Sequence, residues 1–173
     1  MIGYQKELHS VIDSRVDINT AFMEILDKYD SRTNQRPKLL DTTGFLNWTM
    51  YDDNMYNIDK TRNLGGYVKD KSYSIIIYEC SKNSKYLSDA KRASLLFRTQ
   101  LLSGGILIVK ANDFRVRGRI KGTFEVKTLF EKAGFYLTDN IIYRHNINRH
   151  FENDAPVYQH SEIVHSNFLV FKV

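Results

Sequence analysis

Two aspartates that each close a short apolar run are the first residues in this sequence with recognisable chemistry. The run 38–41 ends in Asp41 and is followed by a turn that contains Gly44, and the run 54–59 ends in Asp59. A glycine turn lets the backbone approach a ligand closely, and an acid about 20 residues further on is where a ribose hydroxyl partner is expected. The pattern favours a bound adenosine-type ligand. The alternative is that both aspartates only cap turns.

A lysine stands at the end of a strongly apolar run. The segment 104–110 reads GGILIVK and leads into the polar residues 112 and 113. Such a β-branched run predicts a strand buried on both faces of a parallel sheet, and ligands bind beyond the carboxyl ends of such strands. Lys110 can act as a base if burial or a neighbouring charge lowers its pKa. The alternative is a plain ion pair with Asp113.

A second polar group, Glu79-Cys80-Ser81, follows the apolar run 72–78. Glu79 can accept a hydrogen bond from a target amine at the mouth of the sheet. The alternative is a loop glutamate beside a half-buried thiol. A nucleophilic role for Cys80 is not indicated, because no histidine lies close to it in sequence.

A basic tract lies between the buried strand and the next helical pattern. Arg115, Arg117, Arg119 and Lys121 alternate with uncharged residues. In an extended segment these charges would share one side at intervals of ~6.6–6.8 Å, near the phosphate repeat of a nucleic-acid strand. The tract therefore predicts a nucleic-acid-binding surface, with a merely solvated face as the alternative.

Four of the five histidines lie in the polar segment 144–165. Their spacing does not match familiar zinc sites, and no cysteine is nearby to complete one. We predict no metal site here and expect a polar loop that contacts a partner or substrate.

The elements around these residues predict an α/β fold. Strands are expected at 38–41, 54–59, 73–78, 105–110, 136–143 and 167–172, with helices over 88–102 and up to Gly134. Gly104 lies where a C-cap of the first of these helices is expected. The expected architecture is a mostly parallel open sheet with helices on both faces, formed by residues 37–173.

Residues 1–36 are predicted to form a helical segment that packs on this sheet. Residues 8, 11, 12 and 16 form one apolar stripe, and residues 21, 22, 25 and 26 form a second. Asn19 or Thr20 is expected to cap the second helix.

Composition limits the classes of protein that this chain can belong to. It has 173 residues, a hydrophobic fraction of 42% and a net charge of +5, which permits an anionic partner without showing one. One cysteine excludes an internal disulfide and suits a reducing cytosol. No apolar run approaches the ~20 residues of a membrane helix, and the N-terminus is charged where a signal peptide is apolar. We therefore expect a cytoplasmic protein without a membrane span.

Together, these elements resemble the class I S-adenosylmethionine-dependent methyltransferases, and above all small phage and prokaryotic amino-methylases. The likeness is best over 74–143 and the last strand, where 102–110 and the segment 131–135 (EKAGF) match family segments. The resemblance implies an antiparallel C-terminal hairpin and S-adenosylmethionine as cofactor. It implies that Asp41 and Gly44 form the cofactor-binding turn and that Asp59 holds the ribose.

The sequence departs from that family at its catalytic motif. Amino-methylases carry Asp/Asn/Ser-Pro-Pro-Tyr/Phe after the strand that 74–78 matches, to hold the target amine and stack on the flipped base. Here Glu79 stands where the acceptor belongs, without the prolines or the aromatic residue. A lysine at the position of Lys110 helps to deprotonate the hydroxyl in ribose 2′-O-methyltransferases. The segment 60–73 is also too short for the helix, strand and helix that usually form the adenine pocket.

Two main functions follow from the resemblance. The first is a methyltransferase, with nucleic acid as substrate and with Glu79 and Lys110 as catalytic residues. The second is a catalytically inactive binding, regulatory or inhibitor module, phage-borne, with a protein partner. A third, a plain nucleic-acid-binding module, depends only on the basic tract.

Overall fold

The strands form one mixed sheet and a small separate hairpin. The computed structural model describes residues 9–12, 17–29, 36–44, 46–48, 55–61, 72–81, 83–144 and 165–173. In chain order the elements are β1 His9–Ile12, α1 Ile18–Tyr29, β2 Lys38–Asp41, β3 Asn57–Lys60, β4 Tyr73–Glu79, α2 Tyr86–Gln100, β5 Leu101–Asn112, β6 Phe114–Val116, β7 Arg119–Lys121, α3 Thr123–Lys132, β8 Tyr136–Arg144 and β9 His165–Lys172.

In the described part of the chain, the main sheet has seven strands in the order β1-β8-β9-β5-β4-β2-β3. Strand β9 runs antiparallel to both of its neighbours, β5 and β8, and all the other pairs are parallel. The mostly parallel sheet and its reversed C-terminal strand pair are therefore as predicted. Among these seven strands, β3 lies at one edge and β1 at the other.

Helices cover both faces of this sheet, as predicted. Residues 105–111 of β5 are buried without interruption, so alternate side chains enter two different cores. On one face Phe22 of α1 meets Phe168 of β9 edge to face at 4.8 Å. On the other face Phe130 of α3 stacks on Phe171 of β9 at 5.4 Å, and α2 packs beside α3.

The helical prediction for the N-terminal segment is right for 18–29 and wrong for 9–12. Residues 9–12 form β1, whose register pairs His9 with Asn140 on β8. A short apolar run cannot distinguish a helix from a strand by spacing alone, and pairing with an open sheet edge decides the outcome. Helix α1 is capped by Asp17, whose carboxylate accepts from the Thr20 amide at 3.0 Å, and not by Asn19 or Thr20.

The prediction that Gly104 caps a helix is also wrong. Helix α2 ends at Gln100, and the chain enters β5 directly at Leu101. Gly104 has a φ of +75°, and the register between β4 and β5 shifts at this point, so the glycine serves a bulge inside the strand. Both a cap and a bulge need a left-handed residue, so glycine alone does not tell them apart.

Candidate functional site

The carboxyl ends of β2, β4 and β5 meet at one edge of the sheet. The register aligns Asp41 with Ile77 and Glu79 with Lys110. Alternation along the strands directs Asp41, Glu79 and Lys110 to the face that α1 covers. At ordinary strand spacings the Cα atoms of Asp41 and Lys110 are roughly 12 Å apart. The early acid and the lysine therefore share an edge, but they do not touch.

Asp41 is fully buried, and its carboxylate binds its own surroundings. One oxygen accepts from the Thr43 amide at 2.8 Å and from the Thr43 hydroxyl at 2.7 Å. The other accepts from the Trp48 indole nitrogen at 2.9 Å. Trp48 is itself only 2% exposed, so it closes this side of the turn. The acid therefore ties Thr43 and Trp48 to the end of β2.

The turn after β2 has the glycine geometry that the sequence predicts. Gly44 adopts a φ of +71°, which favours glycine. The amide and hydroxyl of Thr42 both donate to the Ile77 carbonyl, at 3.0 and 2.7 Å. The turn is thereby tied to β4, the neighbouring strand.

The contacts of Asp59 lead away from the carboxyl edge of the sheet. Its carboxylate accepts from the Tyr73 hydroxyl at 2.7 Å and pairs with the Lys38 ammonium at 3.2 Å. Tyr73 and Lys38 begin β4 and β2, so this cluster lies toward the amino ends of the strands. The hydrogen bond from Tyr73 and the pair with Lys38 outweigh burial and lower the pKa of Asp59. The last residue of β3 is Lys60, one position beyond the acid.

The cofactor that the resemblance implies is S-adenosylmethionine, and these two acids do not fit it as direct ligands. Asp41 is enclosed and already accepts three hydrogen bonds. Asp59 is bonded toward the amino ends, which is the wrong side for a ligand beside Gly44. The assignment of the cofactor to Asp41, Gly44 and Asp59 stays a prediction, and the contacts give both acids structural roles.

Glu79 and Lys110 form an ion pair at the ends of the two central strands. The Lys110 ammonium contacts the Glu79 carboxylate, with 5% of the lysine side chain and 27% of the glutamate side chain exposed. The alternative pairing of Lys110 with Asp113 is therefore wrong. The register explains the result, because the last residue of β4 lies directly beside Lys110. The ammonium of Lys110 is therefore bonded to Glu79 and cannot contact a substrate unless the pair first separates.

Cys80 contributes no nucleophile to this edge. The residue is 3% exposed, and burial raises the pKa of its thiol to about 12. Its amide donates to the Lys110 carbonyl at 2.9 Å, which extends the pairing of β4 and β5 by one residue. The thiol stays protonated and inert near neutral pH.

Sequence reasoning missed a polar cluster beyond the end of β5. The Ser166 hydroxyl donates to the Asn112 side-chain oxygen at 2.6 Å. Asp113 accepts from the Thr123 amide at 2.8 Å and from the Asn167 amide nitrogen at 3.3 Å, and it lies 3.5 Å from the His165 imidazole. The antiparallel pairing of β5 with β9 makes these contacts, and the only sequence signal was the polar start of the last strand.

The basic tract is a β-hairpin, so its four charges do not share one side. Strands β6 and β7 pair Arg115 with Ile120 and Val116 with Arg119. Arg117 and Gly118 have φ values of +49° and +77°, the left-handed pair of a two-residue hairpin turn. Arg119 and Lys121 thus lie on one face, Arg115 on the other and Arg117 at the tip. The prediction of one extended charged edge is wrong because the Arg117-Gly118 turn folds the tract back.

The described residues contain no group of three or more metal-binding side chains suited to a metal ion. His145, His150 and His160 lie outside those residues, so the loop prediction for 144–165 is tested only at its end, where His165 begins β9.

No helix in the described part of the chain is long and apolar enough to cross a membrane.

Comparison with solved structures places this architecture among known folds. The cyclase SpnF superposes with a TM-score of 0.59 at 16% identity, over 95% of this chain and 87% of that one. The 1,6-didemethyltoxoflavin N1-methyltransferase of Burkholderia thailandensis gives 0.56 at 8% identity, over 90% and 79%. The N-methyltransferase NodS of Bradyrhizobium japonicum gives 0.54 at 11% identity, over 91% and 90%. The fold is that of the class I methyltransferases.

The methyltransferase fold does not by itself assign an activity to this chain. Two of these structures contain S-adenosylhomocysteine and carry the name methyltransferase, whereas SpnF is named for a [4+2] cyclisation. The chain also spans about half the length, 53%, of a possible DNA modification methylase from Thermus thermophilus, and the TM-score of 0.45 there is too low to support an argument. No family model and no curated protein matches the sequence.

Proposed function

We propose that this protein is a nucleic-acid-binding module that is built on the methyltransferase fold and does not transfer methyl groups. The observation that carries the proposal is the state of Asp41. The acid that should approach a cofactor is 0% exposed, and both of its oxygens accept hydrogen bonds from Thr43 and Trp48. A ligand could reach it only after these contacts were broken.

The other predicted site residues support the same interpretation. Asp59 is held by Tyr73 and Lys38 toward the amino ends of the strands. The ammonium of Lys110 is buried against Glu79. In both cases the charge that a methyltransferase would use is compensated by a neighbouring group. These pairs stabilise the fold instead.

Nucleic acid is the partner that the surface charge favours. The chain carries a formal net charge of +5, and Arg115, Arg117 and Arg119 are exposed on the hairpin 114–121. Within the described part of the chain, no carboxylate forms an ion pair with Arg117 or Arg119. Arginine presents several donors in a planar fork that matches phosphate oxygens.

Two titrations test this proposal. Calorimetry with S-adenosylmethionine should give no binding heat at millimolar ligand, and fluorescence anisotropy with labelled DNA and RNA should show salt-sensitive binding. Micromolar binding of S-adenosylmethionine that is lost in Asp59→Ala would support the cofactor assignment and reject the inactive module. Absence of binding to every nucleic acid at low salt would reject the partner.

An active nucleic-acid methyltransferase is the second candidate, and one observation favours it. Glu79 keeps 27% of its side chain exposed at the carboxyl edge. Two residues beyond Lys110, the buried amide nitrogen of Asn112 has no hydrogen-bond partner within the described residues. An acceptor and a donor therefore remain at the same edge of the sheet for a target amine. Transfer of a radiolabelled methyl group to DNA or RNA, abolished in Glu79→Ala, would establish this candidate.

A further inference from the structure

The basic hairpin has a rigid base. We call residues 114–121 the basic arm. At its end, a Cβ on Gly122 would meet the Asn112 carbonyl oxygen at 2.1 Å, so only glycine fits there. The Gly122 amide donates to Glu125 at 2.8 Å, and the Thr123 amide donates to Asp113 at 2.8 Å.

A ring contact holds the other strand of the basic arm. Phe114 packs edge to face on Tyr86 of α2 with ring centroids 4.8 Å apart. Both strands of the arm are thus fastened to the main domain, one through Phe114 and the other through Gly122. A binding element that is fixed in advance loses less conformational entropy when it engages a ligand.

An exposed aromatic side chain stands beside this arm. Phe124, in the first turn of α3, is 76% exposed, and Ile120 on the arm is 58% exposed. Phe124 follows Lys121 by three residues, so the two Cα atoms are within about 11 Å of each other. Two large apolar side chains are therefore exposed within a few residues of Arg119 and Lys121, and exposed apolar side chains near charges are typical of an interaction site.

We propose that the basic arm and Phe124 bind single-stranded nucleic acid, with the arginines on the phosphates and the Phe124 ring stacked on an unpaired base. This inference rests on the proposed function, in which nucleic acid is the partner. Stacking of bases on aromatic side chains, combined with a cationic surface for the backbone, is how proteins bind single strands without reading sequence.

The arrangement of the charges favours a single strand over a duplex. Arg119 and Arg115 lie on opposite faces of the arm, with Arg117 at its tip. A flexible strand can pass around such an arm, whereas the phosphates of a rigid duplex approach from one side. The bases of a duplex are also already stacked, so the Phe124 ring has no open base to meet.

The test compares affinities for fluorescein-labelled dT12, U12 and a 12-base-pair duplex by anisotropy at one fixed low salt concentration. The single strands should bind at least about tenfold more tightly than the duplex. Phe124→Ala should weaken single-strand binding by roughly 5- to 150-fold. Phe124→Tyr, which keeps a ring that can stack, should stay within about threefold of the wild type.

A matched control comes from the other end of the domain. Tyr136 is 64% exposed at the start of β8, far from the arm in the fold, and Tyr136→Ala should leave the affinity unchanged. Because Phe124 and Tyr136 are both exposed, neither change should affect folding, which thermal denaturation checks.

The salt dependence tests the arginines separately. For single strands, log K falls with log salt by about 0.7 per phosphate contact, so Arg117→Ala/Arg119→Ala should lower the slope by about 1.4. Arg92→Ala on the exposed side of α2 should leave the slope unchanged.

The outcomes separate the two proposals. If the wild type binds no nucleic acid, the proposed function fails and this inference fails with it. If nucleic acid binds but Phe124→Ala has wild-type affinity, or the duplex binds as tightly as the single strands, only the single-strand inference is overturned.

Discussion

The two halves of the carboxyl edge of the sheet use their polar residues in opposite ways. At β2, the buried carboxylate of Asp41 accepts hydrogen bonds from Thr43 and from the buried indole of Trp48. Beyond β5, Asp113 and Gly122 also form internal bonds, but these hold up an arm whose arginines face outward. The first half is bonded within itself, and the second has an exposed charged surface.

This contrast shows that a polar residue at a strand end indicates a binding or catalytic site only when its hydrogen-bonding atoms are not already bonded within the protein. The carboxylate of Asp41 lies at a strand end, but it is buried and already accepts three hydrogen bonds from Thr43 and Trp48. Arg117 and Arg119 of the basic arm have no ion pair with a carboxylate among the described residues. Four sets of variants and measurements test this difference.

The largest effect is expected for Asp41→Ala. It removes the acceptor for three hydrogen bonds and leaves the buried indole N–H of Trp48 without a partner. We expect a loss of about 3–5 kcal/mol in the free energy of unfolding, measured by urea denaturation. Asp59→Ala is the comparison, because that carboxylate is half exposed and its loss removes one hydrogen bond from Tyr73 and one surface ion pair, which should cost about 1–2 kcal/mol. Equal losses in the free energy of unfolding for Asp41→Ala and Asp59→Ala would show that the two carboxylates are not held differently.

The Glu79–Lys110 pair should respond unequally to loss of its two members. Glu79→Ala leaves a buried ammonium unpaired and should cost roughly 2–4 kcal/mol, somewhat under the value for a fully buried pair. Lys110→Met leaves a carboxylate that water can reach and should cost about 1 kcal/mol or less. Denaturation of both variants and of the double variant measures this. A cost for Lys110→Met as large as that for Glu79→Ala would mean that Glu79 is not the solvated partner.

A cluster of polar side chains toward the amino ends of the strands provides a comparison for both halves of the carboxyl edge. The Tyr29 hydroxyl and the Lys28 ammonium donate to Asp139. Burial raises the pKa of Asp139, but the hydrogen bonds from Tyr29 and Lys28 outweigh it and leave the pKa lowered. Burial and the bond to Asp139 raise the pKa of Tyr29 to about 12.

The sign of the pH effect follows from these two shifts. The lowered pKa of Asp139 stabilises the fold above pH ~4 and is lost as the pH falls through its folded value. The raised pKa of Tyr29 stabilises it below pH ~10 and is lost as the pH rises toward 12. Tyr29→Phe should therefore cost about 1–2 kcal/mol between these limits and flatten both limbs of a stability–pH curve. If the acid and alkaline limbs of the stability–pH curve are the same in Tyr29→Phe as in the wild type, the contact between Tyr29 and Asp139 does not cause them.

The smallest effect is expected at Cys80, on the border of the two halves. With a thiol pKa of about 12, roughly 0.01% is thiolate at pH 8, so a maleimide should react very slowly with the native protein. In urea the same thiol should react at the rate of a free cysteine. Fast native labelling would mean that this part of the edge opens to solvent.

The sheet could be predicted from the sequence because its signals are local. The strands predicted at 38–41, 73–78 and 136–143 have apolar cores bounded by turn residues, and each corresponds to a strand at 38–41, 73–79 or 136–144. Residues 9–12 were predicted wrongly because the apolar residues 8, 11, 12 and 16 also fit the spacing of a helix, and the strand forms by pairing with β8.

The contacts of the site could not be predicted in the same way. The bond between Trp48 and Asp41 depends on how the chain closes after β2, for which the sequence has no pattern. The pairing of Lys110 with Glu79 could be predicted only with the register of the sheet, which places the last residue of β4 beside Lys110 of β5. Asp113 meets His165 and Asn167 only because β9 runs backwards beside β5.

The position of β9 also has a consequence for biosynthesis. This strand comes last in chain order among those that the structure describes, yet it lies between β5 and β8. Until residues 165–172 are available, β5 and β8 have facing edges without the strand that pairs with both of them. Unpaired edges of this kind invite association with other chains, so the sheet must remain open, and in need of protection, until residues 165–172 emerge.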